Sequence, residues 1–370
     1  MTTPTFTIGI EEEYQTVDPV TYDLRSHIQA EILAKGQRQL QERVKAEMHT
    51  SVIEVGTGVC RTIAEAGDDL RDLRRRMIQL TQENGLLLVS GATHPLADWR
   101  AQDIHPDERY TQLVEDLQMV ARANLIFGLH VHVGVDDREV LIQIMNQMRY
   151  FLPHLLALSA NSPFWIGMNT GLKSYRCKVF DRFPRTNIPD TFTSWADFEG
   201  FVNLLVRTNC IDNAKKIWWD IRPHPFFNTL EVRVCDIPMR VEETLAIAAL
   251  IQATVVKLFR LHERNQSWRQ YSRALLMENK WRAARYGIQG KLIDFGQERE
   301  RPEKELILEY LDWVDDVLDE LGSRKAVSYI HWILEHGTGA DRQLAVYNES
   351  GQNLKAVINF MAQETKMGLD

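Results

Sequence analysis

Three short stretches of the chain alternate apolar and polar residues with a period of two, which marks strands whose two faces differ. In TIGIEEEYQ, Glu11 and Glu13 share a face with Thr7 and Gly9, while Ile8, Ile10 and Glu12 take the other. In LHVHVGV the polar face carries His130 and His132, and in LEVRVCD it carries Glu231 and Arg233. Together with flanking turn residues this predicts strands at Phe6–Tyr14, Ser51–Val55, Leu86–Gly91, Leu129–Val135, Ile217–Arg222 and Thr229–Cys235. Helical spacing predicts helices at Ile28–Lys45, Ala64–Asn84 and Glu139–Leu158, the second from Leu70, Leu73, Met77 and Leu80. After Pro238 the pattern is helical only, at Glu242–Arg264, Arg269–Arg285, Pro302–Leu321, Lys325–His336 and Leu354–Gln363, and strands are not expected to return. The strands do not alternate with helices in a regular rhythm, and several have one polar face, which suits an antiparallel sheet open to a cavity. The expected class is α+β, with a mixed catalytic core at 1–238 and a mainly helical part at 239–370 packed on it.

Two carboxylates held on one face repel each other, so Glu11 and Glu13 ask for a cation between them. A solvated edge strand with charged gatekeepers gives the same local pattern, so partners elsewhere decide. The His130 and His132 pair has a structural reading too, as sheltered imidazoles bonded to backbone. Glu231 beside Arg233 reads either as an ion pair or as a metal ligand next to a phosphate clamp. A further acidic pair, Glu47 and Glu54, flanks a short strand that ends in a Gly-containing turn. These groups form a set of hard oxygen ligands with imidazoles and no thiolate, which selects Mg²⁺ or Mn²⁺ over zinc. Five carboxylates exceed what one hydrated magnesium takes, so two or three ions bridging a polyphosphate are expected. Positive charge for such a ligand is dense in TGLKSYRCKVFDRFPR, with Lys173, Arg176, Arg182 and Arg185, and Arg222 follows. Neither GxxxxGK[ST] nor GxGxxG is present, so a nucleotide would be held by metals and arginines.

Composition narrows the partners. A formal charge of −8 and a pI near 5.8 argue against nucleic acid or an anionic membrane. No apolar run is read as approaching the roughly 20 residues of a membrane helix, and the N-terminus lacks a basic segment followed by an apolar one, so a cytoplasmic protein is expected. Cys60, Cys177, Cys210 and Cys235 have no paired spacing, which predicts free thiols.

The motifs GIEEEYQ, GATHPLADW, HVHVGV, ALSANSPFWIGMNTGLKSYR, TLEVRVCD, ENKWRAARYG and HGTGADRQ run from Gly9 to Gln343, and together they resemble the type 2 glutamate–cysteine ligases, also called carboxylate–amine ligases. The resemblance implies a fold like that of glutamine synthetase and the guanidino kinases, with a curved antiparallel sheet forming an active-site funnel. It implies that Glu11 and Glu13 match an E-x-E strand whose carboxylates bind different metals, and that Glu47 and Glu54 match a second acidic pair. His130 and His132 match an H-x-H strand, Glu231 a metal ligand, and Arg233 the guanidinium that stabilises the transferring phosphoryl group. Arg176, with Arg222 behind it, is assigned to the substrate carboxylate or acyl phosphate. His94 and Trp99 are placed near the glutamate end, with a packing role open for Trp99. The implied reaction uses ATP and Mg²⁺ to phosphorylate a carboxylate, the γ-carboxyl of glutamate, before an amine such as that of cysteine displaces phosphate. RYGIQGK and HGTGADRQ are candidate lid loops, with helix-terminating turns as the plain alternative. The alternatives are a ligase for another amine or carboxylate, a metal-dependent amide hydrolase, and a metabolite-binding regulator on the same fold. A homodimer is the base-rate expectation.

Overall fold

The structure is a computed structural model that describes residues 5–25 and 43–369. Its main sheet has seven strands: β1 (Ile8–Val17), β2 (Val44–Ala46), β3 (Val52–Gly56), β4 (Leu87–Val89), β5 (Leu129–Gly134), β8 (Ile221–Pro223) and β9 (Thr229–Val232). Two hairpins, β6 (Phe164–Trp165) with β7 (Met168–Asn169) and β10 (Lys291–Asp294) with β11 (Arg299–Pro302), stand apart from it. The strands run in the order β2-β3-β1-β5-β9-β8, with β4 on the far end of β1, and every pairing is antiparallel.

Register explains why the alternation matters. Ile8 pairs with Val133 and Ile10 with Val131, and on the next strand Val131 pairs with Val232 and Val133 with Leu230. These residues are all buried, and they form the apolar face on which the helices Ile63–Glu83 and Val241–Glu263 pack. The first of these helices begins where Thr62 accepts the Glu65 N–H at 3.2 Å, and it buries Leu70, Leu73, Met77 and Leu80 as its spacing predicts. The apolar core is continuous from Phe6 to Leu369, so the sheet and the C-terminal helices share one interior.

Glu12 lies on this apolar side, fully buried. It accepts two N–H groups of Arg74 at 2.8 and 2.5 Å and the Thr244 hydroxyl at 2.6 Å, and it also bonds the Tyr14 hydroxyl. A buried charge survives only with such a complete set of partners.

Several sequence expectations need correction. The helix expected at 28–45 falls largely outside the described residues, and its last two positions, Val44 and Lys45, stand in β2. The helix expected over 139–158 is two, Arg138–Met148 and Leu152–Ser159, because Pro153 lacks the N–H that a continuous helix would give to the Arg149 carbonyl. Strands do return after Pro238, as the β10–β11 hairpin, whose second strand is polar and exposed apart from a half-buried Arg301 and so carries no apolar alternation. Helices at Glu108–Leu117, Trp195–Arg207 and Gly339–Glu349 were not anticipated. The helix Val241–Glu263 is also long and apolar enough to cross a membrane, contrary to the composition reading, but 83% of its most apolar window is buried inside the protein.

Candidate active site

The polar face of the same sheet floors a cavity of 520 Å³. Cross-strand register assembles its floor in rows: Lys45 opposite Glu54 and Glu54 opposite Glu13, then Glu11 opposite His130, then His132 opposite Glu231 and Glu231 opposite Arg222. Three separate stripes of the sequence thereby become one surface.

The floor contains two groups of potential metal ligands. Oxygen atoms of Glu13, Glu47 and Glu54 lie within 4.8 Å of one another, and so do ligand atoms of Glu11, Glu54 and His130, so Glu54 belongs to both. Glu231 and His132 adjoin the second group: His132 Nε2 is 3.6 Å from Glu11, and its Nδ1 lies 3.3 Å from the Thr229 hydroxyl.

Protonation follows from these surroundings. Burial, with the charges of Glu54 and Glu13, pushes the Glu47 carboxyl well above the usual range, and burial raises Glu54 as well. Glu13 is pushed up to about 7, chiefly by burial, against the pull of Arg176. Burial would also raise Glu11, but hydrogen bonds from His130 and His132 reverse the shift and hold it well below the usual range. Glu231 is likewise held low, because Arg233 and Arg222 outweigh its burial. Burial and the Arg233 charge lower His130 to about 4, so its imidazole is neutral and free to ligate at neutral pH. Carboxylates that are forced together at raised pKa, all oxygen donors beside a neutral imidazole, fit Mg²⁺ or Mn²⁺.

The cavity wall carries arginines of different duty. Arg222 is spent on structure: its Nε bonds Glu231 at 2.8 Å and its Nη1 bonds the carbonyls of Ile217 and Lys215 at 2.5 and 3.1 Å. Arg233 bonds Glu231 through Nη1, and its buried Nε has no hydrogen-bond partner among the described residues. Arg176 reaches the Val234 and Arg233 carbonyls at 3.3 and 3.2 Å, and its buried Nε is also unpartnered among them. Two orphaned guanidinium N–H groups in a cavity wall are a demand for an acceptor.

Arg176 is set in place by a network around the fully buried Asp236, which accepts the Asn161 N–H at 2.8 Å and the hydroxyls of Ser162 and Ser174 at 2.6 and 2.9 Å. Ser162 in turn accepts the Arg176 backbone N–H at 3.0 Å. The ALSANSPF and GLKSYR motifs are this scaffold. HGTGADRQ packs on it: Gln343 donates to the Asn161 side chain at 2.7 Å, and a Cβ on Gly339 would lie 2.1 Å from Asn161 Oδ1. RYGIQGK closes the helix Arg273–Tyr286 at Gly287, whose φ of +56° favours glycine, and it packs on Lys173.

His94 and Trp99 do not line the cavity. His94 is buried, its pKa lowered by burial to about 3, and its Nδ1 accepts the N–H groups of Leu96 and Ala97 at 3.2 and 2.9 Å, which makes it a loop cap. Trp99 packs on the main core beneath Arg100. The cavity also holds residues that sequence reasoning missed, among them Lys45, Arg109, Lys215 and Lys216, with Phe226 and Phe227 exposed at its edge. Lys45 was hidden by the three-residue length of β2, too short to show a period. Lys215 and Lys216 lie in a 3₁₀ turn, where no periodicity exists to read.

The antiparallel sheet with its paired acidic groups and neighbouring arginines belongs to a carbon–nitrogen ligase, a class that relatedness to known proteins shows. The model of glutamate–cysteine ligase family 2 matches residues 7–359, and the chain belongs to that family. A relative from Solibacter usitatus (strain Ellin6076), provisionally named glutamate–cysteine ligase 2, is 66% identical over 99% of this chain and 95% of its own length. One of the same provisional name from Herpetosiphon aurantiacus is 54% identical over 98% and 94%. Among solved structures, a glutamate–cysteine ligase from Francisella tularensis in complex with AMP superposes with a TM-score of 0.71 at 13% identity, covering 100% of this chain and 90% of that one. A bifunctional glutathione synthetase from Pasteurella multocida gives 0.70 at 14% identity, covering 98% and 52%. At that identity the two structures establish the fold.

Proposed function

We propose that this carboxylate–amine ligase uses ATP and Mg²⁺ to join the γ-carboxyl group of L-glutamate to the amino group of L-cysteine through γ-glutamyl phosphate. The observation that carries the reading is the pair of ligand groups sharing Glu54, in a cavity that Arg176 and Arg233 also line, each with a buried Nε–H that has no partner among the described residues. Metal-activated water attacking a neutral amide has no need of a guanidinium pair, so the arginines favour phosphoryl transfer. The relatives' names, and the AMP held by the Francisella enzyme, point the same way.

Divalent ions held by Glu13, Glu47 and Glu54, and by Glu11, Glu54 and His130 with Glu231 adjoining, would supply the countercharge that a polyphosphate and its departing phosphate need. The chain's own groups do the rest. Arg233 donates to the phosphoryl oxygens as charge builds on them, and Glu231, gripped by Arg222, fixes the direction of that guanidinium. Arg176 donates to the activated carboxyl group, locked in place through Asp236. Phe180, Phe183 and Trp218 line the cavity and exclude water from the acyl phosphate until the amine arrives. Cys60, Cys177 and Cys235 are free and buried, and Cys210 is free and exposed, which suits the reducing cytoplasm.

The test is phosphate release from ATP and Mg²⁺ with L-glutamate, with and without L-cysteine and then a panel of amines, with products identified by mass. Cysteine-dependent release with γ-glutamylcysteine formed is the expected result. Release that requires another amine changes the acceptor and keeps the mechanism, whereas amide cleavage without ATP turnover overturns the reading.

A further inference from the structure

Resting on the metal-site reading above, we propose that Lys45 is a tethered counter-cation of this site: its ammonium bridges Glu11 and Glu54 while no divalent ion is bound, and passes to the anionic phosphoryl donor when an ion displaces it. The Lys45 ammonium lies 2.9 Å from Glu54 Oε1 and 3.4 Å from Glu11 Oε1. Those are the two carboxylates that converge with His130 to form one ligand group. The lysine therefore sits on two carboxylates of a ligand group, and a divalent ion bound there would repel its like-charged ammonium.

The site needs such a charge. Among the described residues, Lys45 is the one lysine or arginine within 4.0 Å of Glu54, since Arg233 and Arg222 are committed to Glu231. While no ion is bound, its ammonium is the charge that directly offsets the Glu11 and Glu54 carboxylates.

The lysine is also built to move. Its backbone is fixed opposite Glu54 by the β2–β3 ladder, so its anchor stays at the site. Its side chain is 52% exposed on the outermost strand of the sheet, with four rotatable bonds and a point charge that accepts any donor geometry. Arginine in the same place would lock both carboxylates in a planar fork. A displaced ammonium remains inside the cavity that Lys45 lines, next to any polyphosphate held there.

The experiment measures Mn²⁺ affinity of the full-length protein without nucleotide, then ATP affinity at saturating Mn²⁺, for the wild type, Lys45→Met and Lys45→Gln. Removal of a competing half-exposed ion pair should tighten Mn²⁺ binding by about two- to fivefold. The same variants should bind ATP more weakly. Opposite signs in one variant are the signature, because a merely structural salt bridge predicts weaker metal binding from a loosened floor. Unchanged or weaker Mn²⁺ binding in folded variants overturns the inference, and tighter Mn²⁺ binding with unchanged ATP affinity overturns the transfer to the donor. A wild type that binds no Mn²⁺ overturns instead the metal site on which the proposed function rests.

Discussion

Glu12 and Glu13 are adjacent on β1, and the isosteric change to glutamine should move stability in opposite directions at the two positions. Glu12→Gln leaves Arg74 as a fully buried guanidinium without its countercharge, with the glutamine oxygen accepting one of the two N–H groups that the carboxylate took, beside the Met239 carbonyl at 2.8 Å and the Thr244 hydroxyl at 3.4 Å. Breaking one side of such a pair costs about 3–5 kcal/mol. With an unfolding entropy of about 2.1 cal/mol/K per residue, that loss lowers Tm by about 4–6 °C in this 370-residue chain. Glu13→Gln keeps the acceptor for the Gly128 N–H and removes a carboxyl whose pKa burial has raised to about 7. A raised carboxyl pKa means that the folded, metal-free protein binds this proton more tightly than the unfolded chain. Its contribution is therefore lost as pH rises from the unfolded value near 4.5 through 7. At pH 8 the ionised Glu13 costs the metal-free protein up to about 3 kcal/mol, which the substitution recovers. Thermal melts in EDTA at pH 5 and pH 8 check both halves: Glu12→Gln melts lower at either pH, while Glu13→Gln melts level with the wild type at pH 5 and above it at pH 8. A Glu12→Gln protein as stable as the wild type, or a Glu13→Gln protein less stable at pH 8, would refute the assignment of one carboxylate to the core and the next to the site.

Three further outcomes are expected. If two ions bind as proposed, Glu54→Gln should weaken both and Glu47→Gln one, because among the described residues Glu54 alone belongs to both ligand groups, and Mn²⁺ titration followed by electron paramagnetic resonance counts them. Gly128→Ala places a Cβ 2.5 Å from Arg176 Nη2 and 3.1 Å from His130 Nε2, so turnover should fall by about a hundredfold or more, in line with the cost of misplacing a catalytic group. Its Tm, read in the same preparation, should fall by only a few degrees. Lys280→Met leaves the buried Asp220 without its lysine and takes one of two lysines from Asp181, and should cost about 3–5 kcal/mol, measured by denaturant unfolding.

What the sequence showed of this site was its sheet. Alternation alone put Glu11 and Glu13, His130 and His132, and Glu231 and Arg233 each on one face, and antiparallel pairing joined the three faces, as Glu11 opposite His130 and His132 opposite Glu231 make plain. Residues whose role depends on which groups their polar atoms meet in the fold were not legible. His94 has the look of a functional histidine in THPLADW, yet its ring ends as an acceptor for two backbone N–H groups, and composition has no way to separate a cap from a ligand. Arg222 was read as a substrate contact, while its guanidinium is consumed by Glu231 and two carbonyls. The β10–β11 hairpin escaped notice because β11, with only Arg301 half-buried, has no apolar face to give it a period.

The helices after Pro238 supply none of the ligand groups identified among the described residues, yet the positions of Arg176 and Arg233 depend on them. Lys280, fully buried on the helix Arg273–Tyr286, bonds Asp220 at 2.8 Å, Asn187 at 2.7 Å and Asp181 at 3.3 Å. The Asp220 carbonyl accepts the backbone N–H of Arg233, and Asp181 ends the short helix that opens with Arg176. One ammonium thus ties the segment carrying Arg233 to the segment carrying Arg176, at a depth where an unpaired charge is too costly to tolerate drift. If that coupling is real, Lys280→Met should depress turnover even under conditions where the variant remains fully folded, with the loss in kcat larger than any rise in KM for ATP. A variant that is only less stable, with the kinetics of the wild type below its melting range, would show that Lys280 holds the fold and leaves the arginines to be aligned by Asp236 and Glu231 alone.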